Sequence, residues 1–422
     1  MSSDRRPARG LRQAGVALQY PGYRLLFISQ VVSSIGVKLQ EVANIWQIYE
    51  LTGSPLQIGL NGLARAIPTI AFSLVGGVIA DRVERRRIII FTQVINGLCA
   101  LFLAVLTASG HIEVWHIYLV TFVNASVMSA SNPSRTAIIT GLVPRQHLLN
   151  AMALQQSVMQ MSNIIAPSVG GVLIASIGLP VSYFINGAAT VSTATLLYFL
   201  KAPPLPERPK ASPLQDLMEG LRFVRRRTII LSLLGTDVAS QVFGSYQPLL
   251  PVFADRAGVG VVGFGILSSA PSAGALLGAI TIVSLGDVRY KGWWIVGSIL
   301  AYCLCLIGLA LSPWFASTWL FAAGLGFTNT MQATPRNTVI QLVTPDHLRG
   351  RVTSFRNMLA GGGPSIGQAL IGLAATLVGA PLALIAGAVA CIVLNIGIMA
   401  KDRELRSEHL AMEPEPEPVV PA

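Results

Sequence analysis

Few ionisable residues interrupt the apolar stretches of this 422-residue chain, and those that do stand beside other polar groups at helical spacing. In the first stretch Lys38, Glu41 and Asn44 follow one another three residues apart, on one side of a helix. In the seventh, Asp237 is followed by Ser240, Gln241 and Ser245. Arg65 is the one arginine well inside the second. A carboxyl in a low-dielectric cavity can be poised to take up and release a proton, so Glu41 and Asp237 are the candidates for proton coupling. Asn44, Arg65 and Gln241 are candidates to line a substrate cavity, with Arg65 suited to an anionic group. Plainer alternatives stand beside each. Lys38 and Glu41 can satisfy one another, Arg65 can neutralise Glu41 or Asp237, and Asp237 can be held by a neighbouring helix.

Other chemistry is not indicated. The histidines, His111, His116, His147, His347 and His409, lack metal-ligand spacing. The four cysteines, Cys99, Cys303, Cys305 and Cys391, all lie in apolar runs and form neither a disulfide framework nor a metal site. There is no nucleophile signature and no nucleotide loop. The expectation is a protein that is not an enzyme, holds no metal or cofactor, and is not itself an ATP-driven pump.

The elements that would carry these residues follow from composition. The chain is 52% hydrophobic and 12% charged, with a mean hydropathy of +0.61. Soluble domains carry about 25% charged residues, so this is the pattern of an integral membrane protein. Twelve stretches approach the roughly 20 residues a spanning helix needs: 24–50, 56–80, 88–109, 115–136, 148–176, 180–200, 228–250, 262–285, 293–311, 314–340, 353–378 and 381–400. Of the 30 Lys and Arg, all but Lys38, Arg65 and Arg256 fall on one side of that arrangement. The net charge of +11 is therefore a topology signal rather than a nucleic-acid footprint, and it puts both termini in the cytoplasm of a multi-pass plasma-membrane protein.

Residues 1–23 read as a cytoplasmic segment, 24–200 as one six-helix bundle, 201–227 as a cytoplasmic linker, 228–400 as a second bundle, and 401–422 as a disordered tail ending in Glu-Pro repeats. Within the linker, Pro213 to Arg227 has the stripe of an amphipathic helix lying on the membrane, with Leu214, Leu217, Leu221 and Val224 in line. The halves repeat. Asn132-Pro133-Ser134-Arg135-Thr136 returns as Thr334-Pro335-Arg336-Asn337-Thr338, and Ala166-Pro167-Ser168-Val169-Gly170 as Gly363-Pro364-Ser365-Ile366-Gly367. Arg135 stands at the cytoplasmic end of the fourth stretch in this reading.

Between the second and third stretches, Gly76-Gly77 leads into Asp81-Arg82 and Arg85-Arg86-Arg87. A glycine pair that permits close approach, then an acid among arginines, suits a latch that captures a helix end. The pattern Gly77-x-x-x-Asp81-Arg82-x-x-Arg85-Arg86 resembles the loop signature of the major facilitator superfamily, and the resemblance extends from Tyr23 to Ala400. Tyr49 to Pro55, Gly62 to Pro68 and Leu348 to Val352 resemble the branch of enterobactin-type siderophore exporters and macrolide efflux proteins. Ala166-Pro167-Ser168-Val169-Gly170-Gly171 is similar to the antiporter signature. Glu84 stands where the family pattern has glycine, and the second-half loop, with Val283, is degenerate.

The resemblance implies an all-α fold of twelve transmembrane helices in two pseudo-symmetric bundles. It further implies a gating loop at Gly77, Asp81, Arg82, Arg85 and Arg86, and a hinge at Pro167, Gly170 and Gly171. The expected function is a monomeric secondary exporter in the lipid bilayer, moving a small molecule outward against returning protons, with no obligatory protein partner and no nucleic acid. The alternatives are a lysophospholipid flippase or importer of the same fold, and a non-transporting scaffold.

Overall fold

Hydrocarbon offers no partner to a free peptide group, so apolar stretches that enter it must pair their backbones internally. The computed structural model describes residues 15–82, 84–200, 213–286, 290–345 and 348–402. For 73–82, 130, 132–133, 213–217, 219–220 and 354 it describes the backbone alone. The described residues are helical, without strands. In chain order the helices are α1 (Pro21–Thr52), α2 (Pro55–Arg82), α3 (Arg85–Ala108), α4 (Val114–Leu142), α5 (Leu148–Ile177), α6 (Leu179–Tyr198), α7 (Pro213–Arg226), α8 (Thr228–Phe243), α9 (Leu250–Arg256), α10 (Gly260–Leu285), α11 (Lys291–Leu311), α12 (Phe315–Val343), α13 (Arg349–Val378) and α14 (Ala380–Lys401). With α8 and α9 counted as one interrupted element and the short α7 set aside, these are the twelve spanning helices. Residues 201–212 of the expected linker, 403–422 of the expected tail and 1–14 of the expected leading segment lie outside the described residues.

Eight of the helices are both long and apolar enough to cross a membrane by composition. Of the other four, α4, α6 and α12 are as long but carry more polar groups, while the apolar run of α2 falls largely on 73–82, whose side chains lie outside the described residues. Examples are Asn124 and Ser129 in α4, Asn186, Thr190 and Thr193 in α6, and Asn329, Gln332 and Arg336 in α12. Because lipid is as apolar as leucine, helices in it associate through close packing and interhelical hydrogen bonds, and such groups supply the bonds. Large apolar side chains point the other way: Phe91, Leu98 and Val105 of α3 are exposed, as a lipid-facing surface requires.

The seventh stretch departs from the sequence expectation. Instead of one helix over 228–250, α8 ends at Phe243 and a 3-10 turn, Gln247–Leu249, leads into α9. Pro248 and Pro251 cannot donate to the preceding turn. The Tyr302 hydroxyl donates to the Gly244 carbonyl at 2.7 Å, satisfying one group that the break frees.

The chain divides into two compact units. Unit 1 comprises Met1–Gly53, Ala64–Pro209 and Gly258–Ser269; unit 2 comprises Ser54–Leu63, Lys210–Ala257 and Ala270–Ala422. Helices α2 and α10 are each shared between the two. In unit 1, α1 is the hub. Gln93 of α3 donates to Ser33 at 2.9 Å, Gln47 donates to Thr107 of α3 at 3.0 Å, and Tyr183 of α6 donates to Gln47 at 2.6 Å. Asn186 of α6 donates to Gln40, and Ser34 pairs with Ser162 of α5 at 2.8 Å. In unit 2, α7 packs along α13 and α8, with Val224 buried and Met218 exposed. The α5–α6 and α13–α14 junctions are alike. Each is a single glycine, Gly178 or Gly379, at φ 99° and 84°, a left-handed turn that a side chain disfavours.

Candidate functional site

One polar side of α1 faces a cavity in unit 1 of about 250 Å³, walled by α1, α2, α3, α4 and α6. Glu41 lies in its wall with Asn44 and Arg65. The Lys38 ammonium meets Glu41 Oε2 at 2.7 Å, and Arg65 Nη2 meets Glu41 Oε1 at 3.0 Å. Both alternatives weighed for these residues are therefore present together: Lys38 pairs along the helix, and Arg65 reaches across from α2. One carboxylate between two cations leaves the cluster at a net charge of +1. Carboxamides make up much of the remaining wall, with Gln40, Asn96, Asn124 and Asn186 joining Asn44.

Asp237 belongs to unit 2 and has its own partner. Its Oδ1 lies 2.5 Å from Arg336 Nη2 on α12, with side-chain exposures of 12% and 5%. Arg336 Nε and Nη1 are buried with no hydrogen-bond partner among the described residues. Sequence reasoning passed over Arg336 because it placed the residue at a span end; α12 continues to Val343. The same applies to Arg135. Expected at the cytoplasmic end of the fourth stretch, it is buried because α4 runs on to Leu142, and its Nη1 donates to Gln30 Oε1 at 2.5 Å. The signal was available in the internal repeat, which carries an arginine in both copies.

Gln241 does not reach the unit 1 cavity wall. It lies against α13 in unit 2, where a methyl group at Gly363 would stand 2.9 Å from Gln241 Oε1, and that oxygen is buried without a partner among the described residues.

In the signature loop, α2 extends through Arg82; the side chains of Gly77's neighbours Asp81 and Arg82 lie outside the described residues, as does Val83. Beyond it, Glu84 pairs with Arg87 at 2.7 Å. Arg85 is buried and its Nη1 donates to the Ala137 carbonyl of α4 at 3.0 Å. The Arg86 guanidinium lies 5.4 Å from the centre of the Tyr198 ring, in cation–π range.

The antiporter-like motif lies in α5, which runs on past Pro167. A methyl group at Gly170 would come 3.1 Å from Leu39 of α1; one at Gly171 would come 2.7 Å from the Val261 carbonyl and 3.1 Å from the Gly265 Cα of α10. Ser168 donates to Ser269 at 3.0 Å along the same crossing. Gly171 and Gly265 let the two backbones touch, while Gly170 makes room for the Leu39 side chain.

A family model described as transmembrane secretion effector matches residues 15–421. Among curated proteins, Enterobactin exporter EntS of Shigella boydii serotype 18 and that of Escherichia coli O81 are each 28% identical over 357 residues, 84% of this chain and 85% of theirs. Among solved structures, a bacterial homolog of the human lysosomal transporter Spinster, inward-facing and unoccupied, superposes with a TM-score of 0.71 at 16% identity, over 89% of this chain and 95% of that one. The nucleoside transporter NupG superposes with a TM-score of 0.74 at 14% identity, over 90% and 98%. At those identities the structural likeness concerns the fold.

Proposed function

The chain belongs to the transmembrane secretion effector family of the major facilitator superfamily, and from that premise we propose that it exports a small molecule across the plasma membrane by proton antiport. The likeness to enterobactin exporters supports the outward direction and a siderophore-like cargo; a macrolide or another drug is the cargo that the motif resemblance adds. The two bundles, 24–200 and 228–400, would alternate access, with both termini cytoplasmic and the chain acting as a monomer.

The observation that carries the reading is the difference between the two carboxylates. Glu41 sits in a cavity wall between two cations; Asp237 is packed away against one. Protonating Glu41 leaves Lys38 and Arg65 facing one another uncompensated, while protonating Asp237 leaves a single arginine. Asp237 therefore takes the larger part in proton coupling, and Glu41 orients Arg65, with Asn44, toward cargo. Intramembrane ionisable groups are costly and mark pathways. Gly77, Asp81, Arg82, Arg85 and Arg86 would gate the cytoplasmic side, and Pro167, Gly170 and Gly171 would be the hinge.

The test is accumulation of siderophore, macrolide and dye panels in proton-energised inverted vesicles, with Glu41→Gln and Asp237→Asn beside wild type. Gradient-dependent uptake that Asp237→Asn abolishes is expected. Uptake indifferent to the gradient overturns antiport.

One observation favours the lipid alternative. An apolar crevice of about 610 Å³ in unit 2, walled by Tyr290, Trp293, Trp294, Phe327 and Met331, has the character of a seat for an amphiphile's chain. Competition by lysophospholipid for cargo would favour that reading.

A further inference from the structure

We propose that the unit 1 cavity selects an anionic ligand: a small molecule, or one end of a larger one, that carries a carboxylate or similar acid together with hydroxyl or amide groups. This rests on reading the cavity as the substrate site and narrows that site to a class of cargo.

Charge excludes the opposite preference. Glu41 is the one acid in the wall among the described residues, and both its oxygens are engaged, one by Lys38 and one by Arg65. A cationic ligand would have to displace one of these partners and enter against a net positive charge. An anion has neither obstacle. Arg65 is the most exposed member of the cluster, at 48%. Its Nη2 holds Glu41, leaving the rest of the guanidinium fork without a partner among the described residues. A planar fork with spare donors matches a carboxylate in two places at once.

The wall chooses the rest of the ligand. Gln40, Asn44, Asn96, Asn124 and Asn186 present carboxamides. Gln40 and Asn186 bond one another, but the amide oxygens of Asn44, Asn124 and Asn186 are buried without a partner among the described residues; a wholly apolar guest returns them no hydrogen bond, which is the kind of mismatch binding sites reject strongly. At about 250 Å³ the space is below the roughly 300–1,000 Å³ of drug-sized sites, so a compact polar acid fits and a bulky cationic dye does not.

Binding to the purified full chain in nanodiscs decides the matter, using N-salicyloylglycine, its methyl ester, and its dimethylaminoethyl amide, which is cationic at neutral pH. The acid should bind about tenfold or more tighter than the ester, and the cation most weakly. Arg65→Gln should erase the preference and Arg65→Lys retain part of it. Glu41→Gln, which leaves two cations unopposed, should widen it. Ester or cation binding as well as the acid, an unchanged order in Arg65→Gln, or no binding by any of the three at millimolar concentration would overturn the proposal. Binding needs neither a gradient nor a direction, so loss of proton-driven export with selective binding intact would count against antiport alone.

Discussion

Asp237 and Arg336 stand in the same places in unit 2 that Gln30 and Arg135 hold in unit 1. Asp237 and Gln30 each come nine residues after the first residue of their helix, and Arg336 and Arg135 each come twenty-one after theirs. The pair in unit 2 is ionic at 2.5 Å, and the pair in unit 1 is an arginine bonded to a neutral amide at the same distance. Glu41 lies twenty residues into α1, a place matched in the other half by Pro248 in the α8–α9 break. The two carboxylates are thus not counterparts, which is why they can hold different tasks.

Breaking the ionic pair from one side should cost far more than removing it. Asp237→Asn leaves the buried Arg336 charge with only a neutral amide beside it, a loss of about 3–5 kcal/mol. Asp237→Asn with Arg336→Gln should recover most of it. Gln30→Leu, which removes a hydrogen bond to a charged group, should cost about 1.5–3 kcal/mol. Thermal unfolding in detergent ranks the three, and a double variant no better than Asp237→Asn would refute the argument.

The Glu41 cluster should behave differently, because its carboxylate has two partners and its members are 28–48% exposed. Lys38→Met or Arg65→Met alone leaves one pair intact, at a cost of about 1 kcal/mol or less after solvent screening. Together they strand the acid. The combined loss should exceed the sum of the single losses by about 0.5–3 kcal/mol. Strict additivity in a double-mutant cycle would show that the two cations do not stand in for one another at Glu41.

Much of this was legible from residues alone, and the remainder shows where one chain's pattern stops. Hydropathy placed the helices because burial in lipid acts on each stretch separately. It also singled out Glu41, Arg65 and Asp237, since an ionisable group among apolar neighbours is conspicuous at any distance from its partner. Arg135 and Arg336 escaped notice because a basic residue near a span end looks like a topology anchor; whether it is depends on how far the helix continues. Gln241 fell on the right polar stripe, yet it packs against Gly363 of α13. Neighbouring helices decide which part of a stripe opens to a cavity, and spacing within one helix carries no information about them.

The break after α8 makes a sharper test of a single hydrogen bond. Tyr302→Phe keeps the ring and removes the donor to the Gly244 carbonyl, leaving a buried acceptor unpaired at about 1–3 kcal/mol. Gly244→Ala should be at least as damaging, since the new methyl would stand 2.7 Å from Tyr302 Cε1. Unfolding midpoints of the two variants against wild type check both. A neutral Tyr302→Phe would mean that another group satisfies the carbonyl.

The α5–α10 crossing offers a way to ask whether the hinge moves. Ser168 and Ser269 bring their hydroxyl oxygens to 3.0 Å, and the glycines beside them place the two backbones in contact. A Ser168→Cys/Ser269→Cys pair should therefore oxidise readily, since a disulfide needs Cβ atoms about 3.5–4.5 Å apart. If access alternates by parting these helices, the oxidised protein should stop exporting and dithiothreitol should restore it, while each single cysteine variant exports under oxidant. Free-thiol labelling reports the crosslink, and vesicle accumulation reports transport. Export that continues with the crosslink complete would mean that the crossing stays closed throughout the cycle, and the bending would then have to occur elsewhere than Pro167, Gly170 and Gly171.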